Sequence, residues 1–499
     1  MQNPSQNPFF NTKQLKEQGN DMLDMIGELY DNLENVHVQP NLKPGFLRDQ
    51  LPFEPPQTQG DMNQILSETR EKLFPGITQW QHPAFFAYYP STVSHMTILA
   101  DMFAQAFNSP GFIFNVSPTH TELENIVMDW LAQLIGLPEV FLLKNQGGGS
   151  MQTSISDAMF NTVHAAKKCK MQELNIKPDN PDMLKFVGYY VEHGFAASQK
   201  SLMLKDIAHQ RQIPIIFDER VQNFQPDVKK FEQMLEEDVK NGLIPFWVGI
   251  TYGTTATGAI DPINEMVKIS KKYNAWVNLD AAYASFQWLW EEKRIERGNL
   301  ENVDSILINA AKAFMVGMNG AIIYVNDKKK YQSQFSMNPM EIYKNQNSQR
   351  EDCIDYSNWY VGFGRRFNAM KLYYIIKAYG KQGLEQNVKE KIELAHYFKN
   401  LIDKSDKFTI FAKPCAGLIT FRYTGDYKTE EELKNNLQEI NEKNQKLLEL
   451  IREDTQKGYI SPSMFNNTYL LRLVVCNPNT TEKHIDIFWE FLNEKAKQL

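Results

Sequence analysis

The sequence predicts an α/β protein: a mainly parallel sheet with helices on both faces, followed by a smaller C-terminal α/β domain. Two observations predict it. Through the middle of the chain, short apolar runs alternate with helical or turn sequence, which is the pattern of strands buried on both faces and joined by helices. From about Lys381 the chain changes to long helical patterns rich in Lys, Glu and Asn, interrupted by two further strand-like pieces. With 499 residues, 42% hydrophobic and 23% charged, the chain can bury a large core shared by several segments. The expected division is 1–90, 91–380 and 381–499.

The first segment is helical but broken by Pro40, Pro44, Pro52, Pro55 and Pro56. Prolines this dense cannot continue a helix, so a helix, an extended stretch and a second helix are expected. Ser117-Pro118 opens a helix whose apolar residues are Leu123, Ile126, Val127, Trp130, Leu131 and Leu134. That spacing makes one buried face, and Gly136 with Pro138 ends the helix. Strands are expected at 246–251, 275–279, 305–309 and 321–325, and in the last domain at 417–422 and 469–475.

Composition excludes several function classes. Lys+Arg is 53 against 60 Asp+Glu, a formal charge of -7, and no basic stripe interleaves with aromatics, so nucleic acid is not expected as a partner. Lys328-Lys329-Lys330 reads as a solvated turn. Cys169, Cys353, Cys415 and Cys476 lie far apart without metal-ligand spacing; no metal site or disulfide framework is expected, and a cytoplasmic location follows. The polar start, Met1 to Gln14, has no apolar signal core, and no apolar run reaches the ~20 residues that span a bilayer, so no membrane partner is expected.

Ligands of open α/β sheets bind where strands end. Asn278-Leu279-Asp280-Ala281-Ala282-Tyr283-Ala284 ends one strand on an acid, and Asn309-Ala310-Ala311-Lys312-Ala313 ends the next on a lysine. Taken singly, Asp280 reads as a helix cap and Lys312 as a surface residue. Together they fit pyridoxal-phosphate (PLP) chemistry, in which a lysine forms the Schiff base and an acid keeps the pyridinium protonated. Gln146-Gly147-Gly148-Gly149-Ser150-Met151-Gln152-Thr153-Ser154-Ile155-Ser156-Asp157 is a Gly-rich turn entering a helix, a fit for the cofactor phosphate. Gly253-Thr254-Thr255 adds hydroxyls after a strand.

Several stretches, in order, resemble the aromatic L-amino acid decarboxylases of the PLP-dependent group II decarboxylases: Pro44-Gly45-Phe46-Leu47-Arg48, Trp80-Gln81-His82-Pro83-Ala84-Phe85-Phe86-Ala87-Tyr88-Tyr89-Pro90, Ser117-Pro118 with Thr121-Glu122-Leu123-Glu124, the Gly147 turn, Asp280-Ala281-Ala282-Tyr283-Ala284 and Gly364-Arg365-Arg366-Phe367. The resemblance runs from about Lys16 to the end. It implies the aspartate-aminotransferase-like fold (fold type I), a homodimer with 1–90 in dimerisation, and decarboxylation of an aromatic amino acid. Lys312 is then the Schiff-base lysine and Asp280 the pyridinium partner. Ser154, Ile155, Ser156 and Asn309 sit at the phosphate, with Thr255 and Ala196 also near the cofactor. Trp80, Tyr88, Pro90 and Ser91 line the substrate side, joined by Phe112 from the partner subunit. Tyr356 matches a mobile-loop tyrosine that protonates Cα, as a phenol with pKa near about 10 can.

Two positions depart from the family. Its ring-stacking histidine falls at Ala196, within Glu192-His193-Gly194-Phe195-Ala196-Ala197-Ser198, and the histidine before the lysine is Ala311, with Ala310 and Ala313 in place of the usual Pro and Trp. Unless Phe195 or His193 moves in, the face contact is lost, a term of about 0.5–1.5 kcal/mol or up to roughly tenfold in affinity. Three outcomes stay open: decarboxylation, an oxygen-using variant releasing aldehyde, ammonia and peroxide, or a pseudoenzyme that keeps the fold as a binding module.

Overall fold

The computed structural model describes residues 10–336 and 355–499. Its large sheet has the order β1-β9-β8-β7-β6-β2-β3. These strands are β1 (Gly148–Gln152), β2 (Phe186–Val191), β3 (His209–Ile213), β6 (Ile244–Thr251), β7 (Trp276–Asp280), β8 (Ser305–Asn309) and β9 (Ala321–Val325). A small hairpin of β4 (Ile215–Asp218) and β5 (Asn223–Pro226) stands apart. From β8 to β3 every neighbouring pair is parallel, while β9 runs antiparallel to both β1 and β8. The C-terminal domain carries an antiparallel sheet of β10 (Phe408–Cys415), β11 (Leu418–Tyr423), β13 (Thr468–Val474) and β12 (Ser461–Phe465), covered by helices Leu437–Arg452 and Glu482–Ala496.

The strands expected from apolar runs are all present, because burial on both faces demands such runs. The edge strands are less legible. The Gly-rich stretch read as a turn is mostly β1, and its glycines serve close packing. A Cβ on Gly149 would stand 2.6 Å from the Tyr324 ring, and one on Gly147 would stand 2.2 Å from Val140 O. β3, His209–Ile213, is polar because only Ile213 is buried.

Other expectations need correction. Lys328-Lys329-Lys330 is not a solvated turn. It opens the short helix Lys328–Gln332, and Lys328 is buried, its Nζ donating to Leu143 O (2.6 Å) and Asn145 O (2.7 Å). Two polar acceptors and a long aliphatic stem let this lysine go inside. The helix Pro118–Leu134 forms as expected, but its buried face is turned toward Glu124, Val127, Met128 and Leu131, leaving Ile126 exposed. The stretch 286–297, expected as a helix between the two strand ends, is two 3-10 helices, Ser285–Leu289 and Glu291–Arg297.

At the N-terminus the helix Thr12–Asp31 buries none of its residues. Residues further on belong to the C-terminal domain's core: Ala84 and Phe86 pack with Phe398, Phe421 and Phe488. The long helix Ala369–Asp403 joins the two domains and is broken at Gly380, whose φ is 57°. Cys169, Cys415 and Cys476 are free thiols; Cys353 lies outside the described residues. Among the described residues no helix is long and apolar enough to cross a membrane, and no side-chain cluster could hold a metal ion.

Candidate active site

The register of the parallel strands brings the two strand-end residues together. Thr251 of β6 pairs with Asp280 of β7, and Asp280 with Leu307 of β8. Lys312 follows β8 by three residues, on a loop leading back into β9. Its Nζ lies 5.2 Å from the centre of the Tyr89 ring and 5.3 Å from that of Tyr283, and these two rings meet edge to face at 4.4 Å. Burial pushes the Lys312 amine down to about 8, against the opposing pull of Asp280. Among the described residues it makes no ion pair. A lysine so placed has a reactive neutral form near neutral pH.

Asp280 is buried, and burial pushes its carboxyl up, opposed by the Ala282 N–H (3.0 Å to Oδ1) and by Lys312. An acid in that setting is stabilised by any cation brought beside it, such as a protonated pyridine. Behind it stands Asp261, which the sequence reading missed. Its Oδ2 accepts the Thr251 N–H at 2.6 Å, and burial pushes its carboxyl up to about 8. It braces the end of β6 against which β7 is registered.

The helix Ile155–Glu173 starts directly after β1. Ser154 is its N-cap, accepting from Asp157 N–H (3.1 Å) and donating to Asp157 Oδ2 (2.9 Å); Ile155 is buried and Ser156 exposed. The free first-turn N–H groups with these hydroxyls fit a phosphate. Asn309 ends β8 and turns its Oδ1 to the Ala311 N–H (3.1 Å). Thr255 is exposed on the turn after β6, whereas Thr254 is buried and accepts from Ala259 N–H at 3.0 Å.

On the other side an aromatic group forms. Trp80 stacks on Phe85 (4.7 Å) and Tyr88 (5.8 Å), and Tyr88 meets Tyr459 at 6.4 Å. Pro90 is buried and its carbonyl accepts the Cys476 thiol at 3.9 Å; Ser91 O accepts from Gln81 (2.9 Å). The residue over Lys312 is Tyr89, the neighbour of the tyrosine singled out from sequence. Arg472 of β13 also went unnoticed. It is buried, donates to Ser461 Oγ (3.1 Å) and Tyr88 O (3.3 Å), and its Nε has no acceptor among the described residues. Its charge adds to the depression of Lys312.

Phe112 lies beside the stretch that carries Tyr356: Ser357 N–H donates to Phe112 O at 2.8 Å, and Phe112 meets Phe363 at 6.3 Å. Tyr356 is fully buried, its ring lies 4.2 Å from the Arg365 guanidinium, and its hydroxyl lies 3.5 Å from Gly149 O. In this arrangement the ring belongs to the core cluster of the large domain. The segment before it, 337–354, lies outside the described residues. Ala196 is the exposed N-cap of the helix Ala197–Leu204. His193 is engaged elsewhere, stacked on Phe465 at 4.2 Å, while Phe195 stands 41% exposed beside it.

Residues 44–424 match the family model described as the pyridoxal-dependent decarboxylase conserved domain. The chain belongs to the pyridoxal-dependent decarboxylase family. Its fold is that of solved members: the TDC of Oryza sativa with PLP and tryptamine superposes with a TM-score of 0.92 at 29% identity, covering 99% of both chains. The tryptophan decarboxylase of Catharanthus roseus, in complex with L-tryptophan, gives 0.90 at 28% identity, covering 99% of this chain and 100% of that one. In sequence, tyrosine decarboxylase 4 of Petroselinum crispum is 32% identical over 98% of this chain and 94% of its own. Phenylacetaldehyde synthase of Arabidopsis thaliana is also 32% identical, over 98% and 97%. The pyridoxal-dependent family membership agrees with the site: a buried amine of depressed basicity, an acid on the adjacent strand end and a helix N-terminus directly after β1.

Proposed function

We propose that this enzyme removes the carboxyl group of an aromatic L-amino acid, as a homodimer in the cytosol. The observation that carries the reading is the Lys312 amine, boxed by Tyr89 and Tyr283 beside the Asp280 strand end. Bound PLP supplies the electron sink for the pair left behind when carbon dioxide departs. Lys312 anchors the cofactor and is available as an amine because burial disfavours its charge. Asp280 holds the proton on the ring nitrogen. Ser154, Ile155 and Ser156 at the helix start, with Asn309 and Thr255, hold the phosphate. Phe195 covers the ring face that a methyl at Ala196 cannot, because His193 is committed to Phe465. Arg472, a buried cation with an unused N–H, receives the substrate carboxylate. Trp80, Tyr88, Pro90 and Ser91 form the wall for a ring-bearing side chain.

The dimer reading rests on apolar side chains that the single chain leaves in water. Leu99, Met102, Phe103 and Phe107 on the helix His95–Phe107 are exposed, as are Leu15 and Leu23 on the unpacked helix Thr12–Asp31. Phe112, five residues beyond Phe107, then reaches the partner's site. Free thiols fit a reducing compartment.

A second reading, oxidative release of an aldehyde, is favoured by the likeness to phenylacetaldehyde synthase and by Ala196 in place of the family's ring-stacking histidine. The test is the visible spectrum with added PLP beside Lys312→Ala, followed by product analysis with tyrosine, dihydroxyphenylalanine and tryptophan. A Lys312-dependent band with amine as product supports decarboxylation. Aldehyde with stoichiometric peroxide selects the second reading. No band at saturating PLP overturns both and leaves a binding module.

A further inference from the structure

We infer that Thr92, with Thr97 behind it, is the positioning residue for Lys312: a clamp outside the sheet that sets where the amine stands. The inference rests on the reading of Lys312 as the cofactor lysine. The loop 310–320 that carries this lysine is closed by its own backbone, Ala310 N–H to Gly320 O (2.7 Å) and Val316 N–H to Ala310 O (3.1 Å), but no side chain flanking the lysine helps to hold it. Its residues beside Lys312 are Ala310, Ala311 and Ala313, which offer methyl groups alone. Met315, Gly317 and Asn319 take positive φ (58°, 71° and 61°), so the loop follows a backbone path that most side chains disfavour.

The segment 92–97 supplies what the loop lacks. Thr92 N–H donates to Ala311 O at 2.9 Å, and Gly317 N–H donates to Thr92 O at 3.0 Å. Val93 forms a bridge with Val316. The Thr92 hydroxyl donates to the carbonyl oxygen of Lys312 itself, and the Thr97 hydroxyl donates to that of Met315. Both threonines are buried. Within the loop, the Lys312 carbonyl receives only a longer bond, from Met315 N–H at 3.3 Å. The two backbone bonds of Thr92 would survive any substitution that keeps the N–H, so the hydroxyl is what distinguishes threonine here. It fixes the peptide plane at Lys312 and with it the direction of Cβ. Where larger flanking side chains would wedge a lysine in place by packing, this chain uses hydrogen bonds from a segment 220 residues earlier.

The test compares Thr92→Val, which keeps the shape and deletes the hydroxyl, with Thr92→Ser, which keeps the hydroxyl. PLP affinity and the pH midpoint of the bound cofactor's visible band are measured for each, and amide hydrogen exchange of residues 310–320 is measured on the cofactor-free full chain. Thr92→Val is expected to weaken PLP about fivefold, from one lost buried hydrogen bond, to displace the band's pH midpoint, and to speed exchange in the loop. Thr92→Ser restores all three to within about twofold of the parent. A Thr92→Val protein that matches the parent in affinity and pH midpoint overturns the clamp, as does a Thr92→Ser protein no better than Thr92→Val. If the parent itself shows no Lys312-dependent band, the functional reading fails separately, and exchange decides the clamp: unchanged exchange in Thr92→Val overturns it, and faster exchange restored by serine upholds it.

Discussion

Replacing Arg365 by methionine tests how the phosphate turn is held. Arg365 and Glu124 form an ion pair with side chains only 4% and 1% exposed. The same guanidinium donates to Met151 O (3.0 Å) and Ser150 Oγ (3.3 Å) on β1, and covers the Tyr356 ring at 4.2 Å. Glu124 in turn accepts the Met151 N–H at 2.8 Å. Arg365→Met strands the Glu124 carboxylate in the core, for which about 3–5 kcal/mol is the usual cost. The Met151 carbonyl, left with a longer bond from Ser150 Oγ (3.2 Å), and the lost cation–ring contact fall within the same site and do not add in full. Because Glu124 retains one backbone donor, the expected loss is about 4 kcal/mol, read from urea unfolding of the large domain. Adding Glu124→Gln removes the stranded charge and should recover more than half of that loss. PLP affinity should fall along with stability, since β1 ends two residues before Ser154. A loss below about 1 kcal/mol, or a double variant no more stable than Arg365→Met, would refute the assignment of β1's position to this pair.

Four other predictions follow the same logic. The rate of PLP capture by the cofactor-free protein should rise with pH with a midpoint near 8, because burial holds Lys312 there; a midpoint near the ordinary lysine value of about 10.4 contradicts the boxed amine. Below that midpoint the buried ammonium costs stability, and the cost fades as pH rises toward the unfolded value, so Lys312→Met should stabilise the cofactor-free protein at neutral pH and progressively less in alkali; a benefit independent of pH in thermal melts speaks against it. Arg472→Met should raise KM for the amino acid by at least about tenfold, the order expected for a charge-assisted bond, while inhibition by the product amine, which lacks the carboxylate, stays within about threefold. Gly253→Ala, at φ 90° with its new Cβ 2.6 Å from that of Ala284, should cost about 2 kcal/mol or more in thermal unfolding; a neutral result would show that the turn after β6 can relax.

Four of the five inner strands, β6 to β9, and two of the four C-terminal ones were legible in the sequence because a well-buried strand tends to be an apolar run, while β2 was passed over. Asp280 and Lys312 were legible for a related reason: a polar residue that ends such a run is placed at the sheet edge by chain connectivity alone. β1 was not, since Gly149 within it and Gly147 just before it reflect the nearness of Tyr324 and Val140 O, which local sequence does not reveal. The buried face of Pro118–Leu134 was misjudged because the Glu124–Arg365 pair turns a carboxylate inward, against the ordinary ordering of polar and apolar faces.

What the amino-acid sequence determined by itself was therefore the order of the elements, the candidate cofactor lysine and acid, and the family. Tertiary structure decided which residues meet the lysine. Tyr89 and Tyr283 box it, Thr92 reaches its carbonyl from 220 residues away, and Arg472 touches Tyr88 across 384. It also decided that Tyr356 is core and that His193 belongs to Phe465. The physical reason is the range of the forces involved. Periodicity and strand ends are written in residues a few positions apart, whereas depressed basicity, a clamp and a carboxylate receptor arise only when burial brings distant segments into contact.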